Sequence, residues 1–326
     1  MQHYLDFETA YARALGATGG VSQSTADAAA EAIYAAQPDI GALAAATARD
    51  GVPIPDLVRQ LRAAAGPGAE AVHTGATSQD VIDTALACTL RDLTDLLLAR
   101  IASVQDALSE LDRRFGTRGL MGRTRMQAAA EITVADRLAA WSRPLPDHAE
   151  RLATLRPRVA RLQLGGAVGT RSALGARGDD MAAYVAADLG LSAPDRAWHS
   201  TRHHVVDFAG VLSLVTGTLG KMGQDIALMA QQGVDEITLA GCGGSSAMPH
   251  KQNPVRAELL VTLARFNATQ LAGMHQALIH EQERSGAAWA LEWMILPQMS
   301  TVTARALAVA CELADQVAGI GHPRPG

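Results

Sequence analysis

Between residues 205 and 231 the apolar side chains fall into step: Phe208, Leu212, Val215, Leu219, Met222, Ile226 and Met229 alternate spacings of four and three. Such a seam runs along one face of a helix, and burying it takes partner helices of similar length. A second stripe lies upstream, at Leu86, Leu90, Leu93, Leu97, Ile101, Val104, Leu108 and Leu111. Two long stripes predict a bundle of long helices in an all-α fold, with the bundle continuing into a subunit interface. Composition agrees with this. Hydrophobic residues make up 48% of the chain but aromatics only 4%, so Ala and Leu, both strong helix formers, must fill the core. No strand alternation of useful length is read.

The same sequence argues against several function classes. Net charge is -5 with both signs mixed along the chain, and no basic tract or Cys/His finger points to nucleic acid. Cys88, Cys242 and Cys311 are far apart and form no CxxC pair, which fits a reducing compartment. The first residues, MQHYLDFETAYARAL, carry acids where a signal peptide is apolar. Charge is expected to interrupt the apolar stretches too early for a membrane span. A cytoplasmic location follows as the expectation. His203 and His204 are adjacent and cannot share a helix face, and no HExxH occurs, so no metal site is expected. Neither GATGG nor LGGAVGT follows a strand, and GGSSAMPHK lacks the spacing of a phosphate-binding loop.

Residues 4 to 70 read as short helices divided by GATGG, QPDIG and GVP. Further helices are expected over 127–142 and 146–163. Three polar loops stand out against this background. The first is His73-Thr74-Gly75-Ala76-Thr77-Ser78-Gln79-Asp80, just ahead of the first long stripe. One of Thr77, Ser78 or Asp80 suffices to cap that helix, and the remainder suit a carboxylate cradle at a helix N-terminus. The second is Gly122-Arg123-Thr124-Arg125-Met126-Gln127, either a solvated basic turn or an arginine fork for an anion. The third, GCGGSSAMPHKQNPVRAE from Gly241 to Glu258, pairs pliable glycines with Ser245, Ser246, Lys251 and Asn253. A loop of that make-up can close over a site and exclude water. Serine is a weak base at neutral pH, so Ser245 needs the charge of Lys251 and a dry site to act as one. No GxSxG elbow supports a hydrolase. A cluster at His280-Glu281-Gln282-Glu283-Arg284, followed by Trp289, Glu292 and Trp293, reads equally as a solvated helix and as an active-site wall.

Taken together, SSAMPHKQNPVRAE at 245–258, HTGATSQD at 73–80 and GRTRMQ at 122–127 resemble the three signature regions of the fumarase/aspartase superfamily. Within it, HTGATSQDVIDTAL, QLGGAVGT, WHSTR at 198–202 and HEQERSGAAWALEW at 280–293 resemble a cycloisomerase branch. Arg125 stands where the eliminating members carry histidine, a departure shared with that branch. The resemblance implies a central long-helix bundle and a homotetramer with a twenty-helix core, each active site drawn from three subunits. It implies domains over 1–72, 73–299 and 300–326, with both ends short. The reaction implied is closure of a lactone on a carboxymuconate, a small tricarboxylate met in protocatechuate breakdown, with no metal and no organic cofactor. In that reading Ser245 carries the proton at carbon, and Lys251 and Asn253 hold the carboxylate and the oxyanion. Glu258 supports the closed site. Thr77, Ser78, Gln127, Ser246 and Met248 line the substrate, Arg125 clamps a carboxylate, and His73 and Asp80 shape the first loop and count among the substrate-binding residues. Another lyase of the superfamily, releasing fumarate, and a non-catalytic helical scaffold remain the alternatives.

Overall fold

The computed structural model describes residues 1–323 apart from 242, 245–247 and 249–251. In chain order the elements are α1 (Gln2–Ala17), α2 (Gln23–Ala35), α3 (Ile40–Asp50), α4 (Ile54–Ala65), α5 (Ser78–Phe115), β1 (Gly119–Thr124), β2 (Gln127–Thr133), α6 (Val134–Ser142), α7 (Pro144–Val159), α8 (Gly178–Leu189), α9 (His203–Met229), β3 (Ile237–Leu239), α10 (Val255–Gln276), α11 (Ala287–Asp315) and β4 (Val317–Ile320). The chain divides into two compact units. The first comprises Met1–Leu93, Arg156–His204 and His280–Gly286; the second comprises Thr94–Leu155, Val205–Ile279 and Ala287–Gly326.

In the first unit α1 packs along α2 and against α8, while α2 and α3 pack on α4. The helices break at the Gly/Pro punctuation read from the sequence. Ser22 and Asp39 cap α2 and α3 by accepting from the backbone N–H groups of Thr25 and Ala42. Phe7 and Tyr11 stack at 5.6 Å on the buried face of α1. The opening of α5 is unusual for a helix: Gln79, Asp80, Asp83 and Thr84 are all fully buried. Buried polar groups need partners, and the site described below supplies them.

The second unit holds the long apolar seams. All seven seam residues of α9, Phe208 through Met229, are at most 2% exposed. Leu97, Ile101, Val104, Leu108 and Leu111 of α5 are buried to the same degree. Close helix approach here depends on glycine. A Cβ on Gly223 would lie 2.5 Å from the backbone oxygen of Ala257 in α10, and one on Gly220 would lie 2.5 Å from the Ala264 Cβ. Between α10 and α11 the buried Asn267 amide donates to Thr303 Oγ1 at 2.9 Å and to the Met299 carbonyl at 3.3 Å.

Two sequence expectations need correction. Residues 127–133 form a strand, β2, antiparallel to β1, and only Val134–Ser142 is helical. The alanine run at 128–130 favours helix, but Leu120 opposite Ile132 sets a hairpin, and Thr133 and Asp136 form a capping box that starts α6 afterwards. A second small pair joins β3 to β4, with Ile237 opposite Ile320. Charge does not interrupt every long apolar stretch either: α9 and α11 each contain an 18-residue window long and apolar enough to cross a membrane. In α9 the seam uses that apolarity within the protein.

Candidate active site

The first loop carries a dense set of hydrogen bonds, and the partners named below all belong to the first unit. Asp80, in the first turn of α5, is completely buried and is the hub. Its Oδ1 accepts from Gly165 N at 2.8 Å and from His199 Nε2 at 2.9 Å. Its Oδ2 accepts from Gly166 N and Thr77 N, both at 3.0 Å. Four donors replace the water that burial removes. Because a carboxylate only accepts, the His199 proton sits on Nε2, and Nδ1 is buried with no partner. Asp80 therefore does cap its own helix, through Thr77 N, and the same carboxylate also ties in the glycine-rich 163–170 segment and the 198–202 segment.

A second carboxylate extends the lattice. Asp83 accepts from Gln79 Nε2 at 3.0 Å, Gln163 Nε2 at 3.2 Å and the two terminal nitrogens of Arg202 at 2.6 and 3.1 Å. Arg202 lies over the Trp198 ring, 4.7 Å from its centroid. The backbone at 163–166 must come very close to deliver its N–H groups. A Cβ on Gly165 would lie 2.6 Å from Ala197 Cβ and 2.9 Å from His199 Cε1. Glycine is required there by proximity, whereas Gly166 is also required by its backbone, at φ +67.

The outer side of the loop is held from two further elements. Arg284 donates to Thr77 Oγ1 at 2.8 Å and to the carbonyls of Gly166 and Ala167 at 3.2 and 3.0 Å. From α1, Tyr11 donates to the Thr74 carbonyl at 2.8 Å, and the buried Glu8 meets His73 Nδ1 at 2.6 Å. Burial, then Asp80 and Glu8, push the Tyr11 hydroxyl far above its ordinary titration range, so it remains a donor. His73 itself sits at φ +62, a conformation that costs a non-glycine residue energy. Ser78 opens α5 and is partly exposed.

The remaining candidates belong to the second unit. Arg125 and Met126 form the two-residue tip of the β1–β2 hairpin, at φ +47 and +69, a turn type that usually selects glycine or asparagine. Both are exposed, as is Gln127, whose backbone pairs with Thr124. Arg123 on the same hairpin pairs with the buried Glu236 at 2.8 Å. Gly243 and Asn253 exchange backbone hydrogen bonds at 3.1 and 2.9 Å, closing the neck of the third loop. Met248 and Glu258 are exposed, Glu258 in the first turn of α10. Ser245, Ser246 and Lys251 lie outside the described residues. The structure thus gathers His73, Thr77 and Asp80 into one lattice. It adds Glu8, His199 and Arg284, which the site reading from sequence did not include. Their signals were present: Glu8 shares a helical face with Tyr11, and His199 and Arg284 stand inside segments already singled out.

A glycine-assisted, charge-lined loop thus stands at the head of a long helix, beside a second glycine-rich loop. A family model described as Lyase matches residues 6–269, and the chain belongs to this family, the fumarase/aspartase superfamily. A curated 3-carboxy-cis,cis-muconate cycloisomerase from Pseudomonas aeruginosa is 41% identical over 97% of this chain and 70% of its own length. The crystal structure of the 3-carboxy-cis,cis-muconate lactonizing enzyme from Pseudomonas putida superposes with TM-score 0.91 at 39% identity, covering 98% of this chain and 72% of that one. A fumarate lyase from Mesorhizobium sp. BNC1 also reaches TM-score 0.91, at 33% identity over 98% of this chain and 73% of that one.

Proposed function

We propose that the chain is a cycloisomerase that converts 3-carboxy-cis,cis-muconate to 4-carboxymuconolactone. The observation that carries this reading is the likeness along nearly the whole chain to cycloisomerases, at higher identity than to the fumarate lyase. One substrate carboxylate adds to a double bond of the same molecule, and the adjacent carbon takes a proton from the site. The nucleophile is part of the substrate, so the protein supplies orientation, a proton and stabilisation of charge. Ser245 delivers that proton, with Lys251 lowering the cost of its alkoxide and Glu258 supporting the closed loop. Lys251 and Asn253 hold the carboxylate at which negative charge develops. His73, Thr77, Ser78, Gln127, Ser246 and Met248 bind the rest of the tricarboxylate, Asp80 shapes the first loop, and Arg125 clamps a carboxylate in place of a histidine.

In this reading the protein is a cytoplasmic homotetramer with a twenty-helix core, and each site draws on three subunits. The half-exposed apolar residues of α10, Leu259, Leu263, Phe266 and Leu271, support such burial. We also propose an N-terminal helical domain over 1–72, a central bundle over 73–299 and a C-terminal region from 300. The test is loss of muconate ultraviolet absorbance on mixing with purified protein, with Ser245→Ala beside it. Turnover that Ser245→Ala abolishes is the expected result. A folded protein that leaves the muconate untouched, yet releases fumarate from a succinyl substrate, overturns the cycloisomerase reading in favour of an eliminating lyase.

A further inference from the structure

The His73 ring, proposed above as a substrate ligand, is held from α1 by a buried carboxylate. His73 Nδ1 lies 2.6 Å from Oε1 of Glu8, a carboxylate that is 0% exposed, while the imidazole keeps 13% exposure. The Oε2 of Glu8 is buried without a partner. Among the described residues Glu8 is the sole hydrogen-bond partner of the ring, so Nε2 has no protein partner. The residue is held at φ +62, a backbone strain that persists only where its surroundings impose it. A staple from α1 to this loop does not by itself call for a buried charge. Tyr11, one turn further along α1, already provides a neutral one by donating to the carbonyl of Thr74. Burying a half-satisfied carboxylate is costly unless a positive charge faces it.

Resting on the reading above, we propose that Glu8 is the positioning residue of the first loop. Its carboxylate fixes the proton of His73 on Nδ1 and aims Nε2 outward. In the bound state the Nε2–H of the doubly protonated ring pairs with a carboxylate of the substrate. The imidazolium then donates twice, from Nδ1–H to Glu8 and from Nε2–H to the ligand, and the pair inside the protein is neutral overall. Glu8 does not touch substrate in this arrangement and acts through His73.

Steady-state kinetics on 3-carboxy-cis,cis-muconate test this with Glu8→Gln, His73→Gln and the double variant, alongside the Tm of each. Glu8→Gln is expected to raise KM by about 10–100-fold, by analogy with the loss of the partner behind a metal-bound histidine, with a much smaller fall in kcat. The double variant is expected to be no worse than His73→Gln, because without the ring Glu8 has nothing to position. A wild-type KM in Glu8→Gln, even with a lowered Tm, reduces Glu8 to a structural staple and overturns the proposal. So does a double variant whose loss is the product of the two single losses. If Glu8→Gln does not fold, Glu8→Asp retracts the same charge by one carbon and is read by the same criteria. Calorimetric titration with the tricarboxylate separates this from failure of the reaction itself. A wild type that binds without turnover overturns the proposed reaction, and the affinity of Glu8→Gln then decides on Glu8. A wild type that does neither overturns both.

Discussion

His204 shows at the scale of one residue what burial does to chemistry. Both ring nitrogens are buried without hydrogen-bond partners, and the ring meets Trp198 edge-on at 4.7 Å. Burial first, then Arg202, Arg161 and His203, push it down to about 3. The unfolded chain therefore binds a proton at His204 below about pH 6.5 that the folded chain refuses. Stability is full above that pH and falls by about 1.4 kcal/mol per unit as pH drops towards 3, to the extent that this group dominates. His204→Phe is expected to flatten the slope of Tm against pH between 6.5 and 4, and an unchanged slope would assign the acid sensitivity elsewhere. Cys88 is a second case: burial pushes its thiol up to about 11, so it is expected to resist alkylation in the folded protein. Residues of this kind were only partly legible in the sequence. The first loop stood out because it crowds hydrogen-bonding side chains into a short run. Glu8 did not, since an acid in an N-terminal helix reads as solvated until the partner 65 positions away is known.

At the scale of elements, periodicity told the truth where apolar burial decides the structure. The α9 seam is buried as its spacing requires, and α9 spans 203–229 against the 205–231 read from sequence. Periodicity failed at 127–133, where exposed alanines carry no burial signal and helix propensity is only a weak prior. The hairpin that wins there is fixed by cross-strand pairing and by two residues at positive φ, neither of which has a one-dimensional signature. The α9–α10 crossing is a matter of backbone approach. Gly223→Val drives a side chain into the Ala257 carbonyl, and overpacking of this kind costs about 1–3 kcal/mol. Thermal denaturation should show a clear fall in Tm. An unaltered Tm would mean that the two helices can separate at no cost.

For the molecule as a whole, the sequence indicated an all-α chain of long helices, and among the described residues the structure agrees outside two short antiparallel strand pairs, the β1–β2 hairpin and the β3–β4 pair. How copies of the chain assemble is a question of surfaces, and one chain's periodicity does not answer it. If each site is built from three subunits, two inactive variants can rescue one another. Ser245→Ala and Gln127→Ala, each inert alone, should regain part of the wild-type rate when unfolded together and refolded, because some mixed tetramers contain an intact site. Mixtures that stay inert while forming mixed tetramers would show that each chain carries a whole site.

The Asp80 hub also matters to anyone wishing to change what this protein accepts. Two peptide N–H groups from one glycine-rich segment, a third from the loop itself and an imidazole all converge on one carboxylate. Asparagine would present hydrogens to donors, and glutamate would overreach by a carbon. Thr77 and Ser78, by contrast, hang from this peg with side chains that reach the surface. A directed-evolution library should therefore randomise those two and leave the peg alone, so that new pockets are sampled on an unmoved backbone.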